Sequence, residues 1–446
     1  MARRAGLLLF VLVALAAAGP AHAVPGALRQ LEGPAGCVAN ALTGCTPARG
    51  LDKVSGLALS PDGRFLYAVS AYTGSEHALT AFARDPIDGR LTQLDGPGGC
   101  VSQVAVRGCG RGHGLRGAID VTVSGDGRNV YVAAPYNRSP SDTDGAVAIF
   151  TRDPDTGAVA QLPGRAGCVS EAGRDGCARG RALDGVAGVT VSPDGRRVYA
   201  VAGDSGAVVT FAREPATGSL RQLAGRAGCV REGGGFGCAR GRGLESAVGL
   251  VASPDGRNVY VAASLQSHTV SVFATDAATG QLRQLGGRHG CVSTRGAHGC
   301  AAARGGLRAA VNVAISADGT SVYVAAFQSE TITQLRRDPA TGRLRPEPPV
   351  RAGVATGLAV APDGRSVYVT DTDGNAVRPF ARDAATGQLR PLPDGEGCVA
   401  SIHPACVAAR GLAYAFAVVV SPDGRNVYVA GEYDDAIAVF ARAAAQ

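Results

Sequence analysis

The sequence is short of charge, of lysine and of aromatic residues, and each shortage closes off a class of function. Only 18% of its 446 residues are charged, against 46% hydrophobic, a balance that excludes an intrinsically disordered chain. Formal charge is +7 and falls by two when Arg3 and Arg4 are set aside. Over so long a chain that excess does not make the basic stripe of a nucleic-acid binder. Lys53 is the sole lysine among 44 basic residues, a skew that reads as codon bias in a GC-rich genome. Beyond the N-terminal leader no apolar run is long enough to span a bilayer. Helical periodicity is missing, as are a G-x-S-x-G elbow, an H-E-x-x-H helix and a phosphate-binding glycine loop.

What is present begins with that leader. Arg3 and Arg4 give a positive end, Ala5 to Ala18 an apolar stretch, and Ala21-His22-Ala23 a small-x-small cleavage site. Residues 1–23 therefore read as a signal peptide. The expected mature chain is 24–446, secreted, periplasmic or cell-surface, where its 12 cysteines should oxidise.

A phrase of the type SPDGRNVYVAA then recurs seven times, with aspartates at 62, 126, 194, 255, 318, 363 and 423. A second phrase, of the type FARDPIDGRLTQL, follows in most units. Each unit reads as four short strands separated by P-D-G and D-P-x-x-G turns. Seven such units predict an all-β, seven-bladed β-propeller of four-stranded antiparallel blades. The last unit stops near Arg442 without a fourth strand, whereas Ala27-Leu28-Arg29-Gln30-Leu31 is a fourth strand with no unit before it. The N-terminal strand is thus expected to complete the last blade, around Ala436–Phe440, and leave no unpaired edge. Seven of the 11 tyrosines share one register of the second strand, and six of the 11 phenylalanines one register of the third. These are packing residues.

The cysteines fall into local pairs: Cys37/Cys45, Cys100/Cys109, Cys168/Cys177, Cys229/Cys238, Cys291/Cys300 and Cys398/Cys406. Each pair stands in the connection leading into a first strand. The connection before blade six, PEPPVRAGVATG, has lost both members together, which favours six local disulfides. A zinc site is the alternative, but its C-x₂₋₄-C spacing is absent, and no metal or cofactor is expected. Strand direction puts the stapled loops and the irregular second-to-third loops on one face, and the uniform turns on the other. Function is expected on the varied, stapled face.

Four groups of residues there carry candidate chemistry. Arg49, Arg111, Arg179, Arg240, Arg304 and Arg410 follow the staples; they either ring the pore mouth for an anion or tie their own loops. Four first strands open with Gly56, Gly188, Gly249 or Gly357, but two carry Asp120 and Asn312. With His113 and Arg116 close by, these are the catalytic candidates. Tyr72, Tyr136 and Tyr433 stand five residues after the repeat tyrosine in blades one, two and seven. With His77, Asp434 and neighbouring carboxylates they are the binding candidates, suited to a carbohydrate, a small lactone or a basic protein segment. Asp371-Thr-Asp373-Gly-Asn375 has the start of a calcium loop without its distal Glu and reads as a turn.

At SPDGRNVYVAA followed by FATDAATGQLRQL, the chain resembles the bacterial seven-bladed propellers of the lactonase, or YVTN-repeat, family, over about residues 27–442. That family includes 6-phosphogluconolactonase-like and carboxymuconate cyclase-like enzymes. The resemblance implies a propeller and allows lactone chemistry through His, Arg and Glu at the channel mouth. The family's G-P-R-H stretch has no counterpart here; the matching stretches read LDGVAGV and LESAVGL. Two functions are therefore expected in order: a monomeric secreted binding module acting through the stapled face, then a lactone hydrolase or cyclase.

Overall fold

In a computed structural model, which describes residues 24–70, 76–135, 144–303, 305–393 and 395–444, the chain forms seven antiparallel sheets arranged as the blades of a propeller. Blade one gives the plan, with Val54–Leu59, Phe65–Ser70 and Ala78–Arg84 as its first three strands. Its outer strand is split by a 3-10 turn into Leu91–Gln93 and Cys100–Ser102, which pair with opposite ends of Ala78–Arg84. Gly110–Arg111 then adds in parallel beside Cys100–Ser102. This short edge element exceeds the four strands expected from the repeat. It recurs in every blade except blade five, whose sheet ends at Leu344–Pro346 and Val350–Arg351. The extra strand exists because each staple folds its loop back along the blade's rim.

The local sequence explains the turns. At the first P-D-G turn the Ser60 hydroxyl accepts the Phe65 N–H at 3.0 Å, and Asp62 accepts the Arg64 N–H at 3.0 Å. Gly63 sits at φ +68°, where a side chain would be strained. All six residues of each second strand but Arg197 are buried, so these runs are apolar without alternation.

The ring closes through the N-terminal segment. Leu28–Gln30 pairs with Phe440–Arg442, and Cys37–Ala39 pairs with Ala436–Ala438. The expected closing strand is correct, but its register is shifted. The stretch around Ala436 belongs to the second, stapled half of the outer strand, because that strand is split here as in the other blades.

Seven hydrophobic clusters fill the seams, one each, and an eighth small one surrounds the Cys37–Cys45 staple. Each seam cluster packs the repeat tyrosine of one blade against the third-strand phenylalanine of the next, as with Tyr131 and Phe211, or Tyr428 and Phe82. Leu335 replaces the phenylalanine against Tyr260. At the turn end of each seam but one, an arginine completes the contact. Arg152, closing the third strand of blade two, donates to the Tyr67 hydroxyl at 2.7 Å and the Gly127 carbonyl at 2.7 Å. Its other nitrogen reaches Asp62 at 3.2 Å. Tyr67 in turn donates to the Gly157 carbonyl, and burial pushes its phenol up to about 12, so it stays protonated. Arg84, Arg213, Arg337, Arg382 and Arg442 make the same clasp at five other seams.

A second latch joins the blades at the opposite end. Asp435 accepts the Lys53 N–H at 2.9 Å, His77 Nδ1 that of Gly117 at 3.1 Å, His268 Nδ1 that of Ala309 at 3.0 Å, and Asn375 that of Tyr414 at 2.7 Å. His77 is 5% exposed; burial, then the charge of Arg116, depresses its pKa to about 4, which keeps Nδ1 free to accept.

Two outcomes test this account. Removing residues 24–39 should sharply lower the thermal midpoint, and an unchanged midpoint would refute closure by this segment. Arg152→Ala strips a buried charge from three acceptors and should cost about 2–4 kcal/mol in denaturant unfolding.

Candidate functional site

All six disulfides form between the expected partners: Cys37–Cys45, Cys100–Cys109, Cys168–Cys177, Cys229–Cys238, Cys291–Cys300 and Cys398–Cys406. Their placement corrects the expectation that both members stand in loops of the functional face. Cys37, Cys100, Cys168, Cys229 and Cys291 each open the second half of an outer strand, and Cys398 directly precedes one. Cys45, Cys109, Cys177, Cys238, Cys300 and Cys406 each directly precede the short parallel edge strand. A bond between those two positions holds the edge strand against the blade, so the staples sit on its outer flank. Cys45, Cys109, Cys238 and Cys300 therefore belong to the frame, as do their partners, and line no binding surface. Cys398, His403 and Cys406 bring metal-type ligand atoms together, but the two sulfurs are bonded to each other.

The arginines after the staples follow the flank as well. Arg49 donates to the Leu94 and Gly96 carbonyls and Arg410 to that of Gly33, while Arg111, Arg179 and Arg240 lie exposed on the edge strands. Arg304 lies outside the described residues.

His113 occupies the register of Arg49, Arg181, Arg242 and Arg410. In each, a fourth-strand glutamine clasps the backbone, as Gln161 does by accepting the His113 N–H and donating to its carbonyl. The structure places His113 on this flank, away from the channel. Arg116 acts on His77 and does not line the channel cavity.

Asp120 and Asn312 do meet there. The first strands enclose a cavity of about 430 Å³, whose polar lining is Ser55, Asp120, Thr122, Asn312 and Thr356 among aliphatic side chains. Neighbouring first strands approach so closely that a Cβ on Gly56 would stand 2.7 Å from the Ile119 carbonyl. Asp120 bridges blades two and three. Its carboxylate accepts the Val121 N–H at 2.9 Å and the Val189 N–H at 2.8 Å. Burial raises it to about 6 against the pull of those two donors.

A second constellation forms on the stapled face, at the seam of blades seven and one. Tyr433 is 60% exposed and stacks on Tyr414, with ring centroids 4.4 Å apart. Lys53 lies 5.1 Å from the Tyr433 ring centroid and 3.6 Å from Asp435. Lys53 and Tyr414 both occupy a left-handed position, φ 56° and 55°, that Gly117, Gly185, Ser246 and Ala309 fill in blades two to five. The left-handed turn belongs to the repeat; what distinguishes this seam is that it carries two large side chains there. Beneath them the Glu432 side chain is 3% exposed, and its pKa is pushed up to about 7 by burial; Lys53 opposes the rise and Asp435 adds to it. Asp52 and Glu76 are raised too, first by burial and then by Asp435 and Asp52 respectively.

Of the binding candidates, Tyr433 is in this constellation. Asp434 serves the loop by accepting the Ala413 N–H at 2.9 Å, and His77 serves the latch described above. Tyr72 and Tyr136 lie outside the described residues. Asp371 is spent on Arg378, at 2.7 and 2.9 Å, and on the Val354 N–H. Sequence reasoning counted Glu432 only among the carboxylates flanking the candidate tyrosines and passed over Lys53 and Tyr414. A signal existed: Lys53 and Tyr414 stand where the aligned repeats have nothing larger than Val354.

Comparison with known proteins agrees with this architecture. The family model "Lactonase, 7-bladed beta-propeller" matches residues 249–409, which supports the resemblance drawn from the repeats. The fold is similar to that of the Pseudomonas aeruginosa periplasmic gluconolactonase PpgL, at 26% identity and TM-score 0.55, covering 77% of this chain and 85% of that one. It is also similar to a putative 6-phosphogluconolactonase from Bacteroides uniformis, at 22% identity and TM-score 0.54, covering 75% and 82%. No curated protein sequence gives a match.

The charge state of Glu432 yields a stability test. Its folded pKa of about 7 lies above the ordinary carboxylate value, so the fold disfavours the ionised form. Stability contributed at this position is intact below about 4.5 and is lost as pH rises through 7. Thermal midpoints at pH 5 and pH 8 should converge in Glu432→Gln relative to wild type.

Proposed function

We propose that the chain is an exported lactone hydrolase whose site is the seam of blades seven and one on the stapled face. The observation that carries this reading is Glu432, buried beside the protein's sole lysine and raised to a pKa of about 7. A general base works best with a pKa near the working pH. The family match over residues 249–409 and the likeness to a periplasmic gluconolactonase support lactones of sugar acids as the substrate class. The local disulfides and that periplasmic relative support an extracytoplasmic location, reached through cleavage of a signal peptide at residues 1–23.

The steps follow from the residues. The exposed face of the Tyr433–Tyr414 pair takes the sugar-like ring by stacking. Glu432 accepts a proton from water as that water adds to the lactone carbonyl. The Lys53 ammonium stabilises the negative oxygen that develops. The ring C–O bond then breaks, the leaving oxygen takes the proton from Glu432, and the product is a hydroxy acid. Asp120, tied to two backbone N–H groups, shapes the channel below.

The exposed tyrosine pair also favours a second reading, a carbohydrate-binding module without turnover. A panel of aldonolactones and muconolactones separates the two. Turnover should fall about 10²–10⁴-fold in Glu432→Gln and persist in His113→Ala. Unchanged turnover in Glu432→Gln refutes this site. Sugar binding lost in Tyr433→Ala, with no lactone turned over by wild type, establishes the module instead.

A further inference from the structure

Six of the seven seams hold an arginine clasp, and the seam between blades three and four does not. There Thr275 ends the third strand of blade four, in the register of Arg84, Arg152, Arg213, Arg337, Arg382 and Arg442. The groups that would receive the guanidinium remain in place. Asp194 uses Oδ1 to accept from the Ser192 hydroxyl at 2.5 Å and the Arg196 N–H at 3.0 Å. Its Oδ2, the oxygen that pairs with arginine at the other seams, has no ion pair among the described residues.

The other acceptors also lack an arginine. A Cβ built on Gly127, Gly319 or Gly364 would stand 3.1–3.3 Å from the arginine Nη1, whereas one on Gly256 would meet only Pro193 Cδ, at 4.0 Å. Tyr199 is 1% exposed and makes neither the arginine bond nor the glycine-carbonyl bond found at the six other tyrosines. In place of an arginine its phenol has the buried Thr275 hydroxyl beside it. These residues line a cavity of about 410 Å³ that opens on the face of uniform turns.

The nearby charges are accounted for. Asp255 pairs with Arg337 at 2.8 Å, and Asp276 accepts the Ala278 and Thr279 N–H groups. Arg197, standing where blades two, four and seven have asparagine, donates to the Thr279, Arg196 and Ala278 carbonyls. Its guanidinium therefore grips the loop below; it and Arg196, also on the cavity wall, pull on Asp194 through space without an ion pair among the described residues.

We infer that this cavity is a binding site for an alkylguanidinium group, held by Asp194, Tyr199 and the Gly256 carbonyl as the intramolecular arginines are held elsewhere. A planar cation with several N–H donors satisfies all three acceptors at once, whereas a compact ammonium does not. The guanidinium belongs either to free arginine or to an arginine side chain of a peptide.

Titration calorimetry on the full mature chain tests the inference, with ethylguanidinium as probe at low millimolar concentration and ethylammonium as control. Wild type should bind ethylguanidinium and not ethylammonium. Asp194→Asn should weaken binding about tenfold or more, as expected for losing a charge-assisted hydrogen bond. Thr275→Arg should supply the missing guanidinium, abolish binding and raise the thermal midpoint, and Arg197→Asn should tighten binding. No heat from ethylguanidinium in wild type, or undiminished binding in Asp194→Asn, overturns the site. Comparing arginine amide with Ala-Arg-Ala separates the sources. Tighter peptide binding indicates an extended segment, equal binding the free molecule, and either supports the site.

Discussion

A four-stranded blade has two apolar faces and no interior of its own, so everything in this protein depends on burying one blade against the next. The seams are where that happens. Each joins a tyrosine from one blade to a phenylalanine or leucine from its neighbour, and most are closed by an arginine bonded into both. Because the arginine reaches the preceding blade's aspartate, tyrosine and its own turn, it fixes the spacing and tilt of two sheets together. The histidine, asparagine and aspartate latches do the same work at the opposite end. A blade detached from this arrangement would expose both faces and leave a buried guanidinium without its acceptors.

How much was legible in the sequence follows from what repeats. Seven units, their strands and the borrowed N-terminal strand were readable because alternation, turn residues and cysteine spacing are local signals. The split of the outer strand was not. Nothing in LTQLDGPGGCVSQ distinguishes one long strand from two short ones joined by a 3-10 turn, since the break is set by where the staple draws the loop. For the same reason the spacing gave the partners of Cys45, Cys109, Cys238 and Cys300 but not their position beside an edge strand. The tyrosines were correctly set aside as packing, but their arginine partners were not recognised. They sit on a different blade, about 60 to 90 residues away in most seams, and only the folded ring brings them together.

The site shows the same limit more sharply. His113 looked chemically suggestive, yet the repeat gives it the same backbone partner that other blades give an arginine. Asp120 and Asn312 were legible as departures from a glycine register, and both do face the channel. Glu432 and Lys53 lie 379 residues apart in the sequence and become neighbours only when the ring closes. A pairing of that kind has no local sequence signature. Its pKa depends on burial that the strand pattern alone does not specify.

The parallel edge strand carries a consequence for how the chain withstands a protease. Each staple encloses a short tip on the exposed rim, where a protease would find its easiest cut. A nick at Asp175, for example, falls between Cys168 and Cys177, which are bonded to each other. The two new ends stay joined through sulfur, and Val169 and Ser170 keep their pairing with Ala178 and Arg179. Val169 also stays in the seam cluster it shares with Leu183 and Val186, because the staple holds its strand in place. A clipped chain would migrate as two pieces only after reduction and would remain a closed ring until then. Blade five lacks the staple, so a cut in its rim has no such covalent backup.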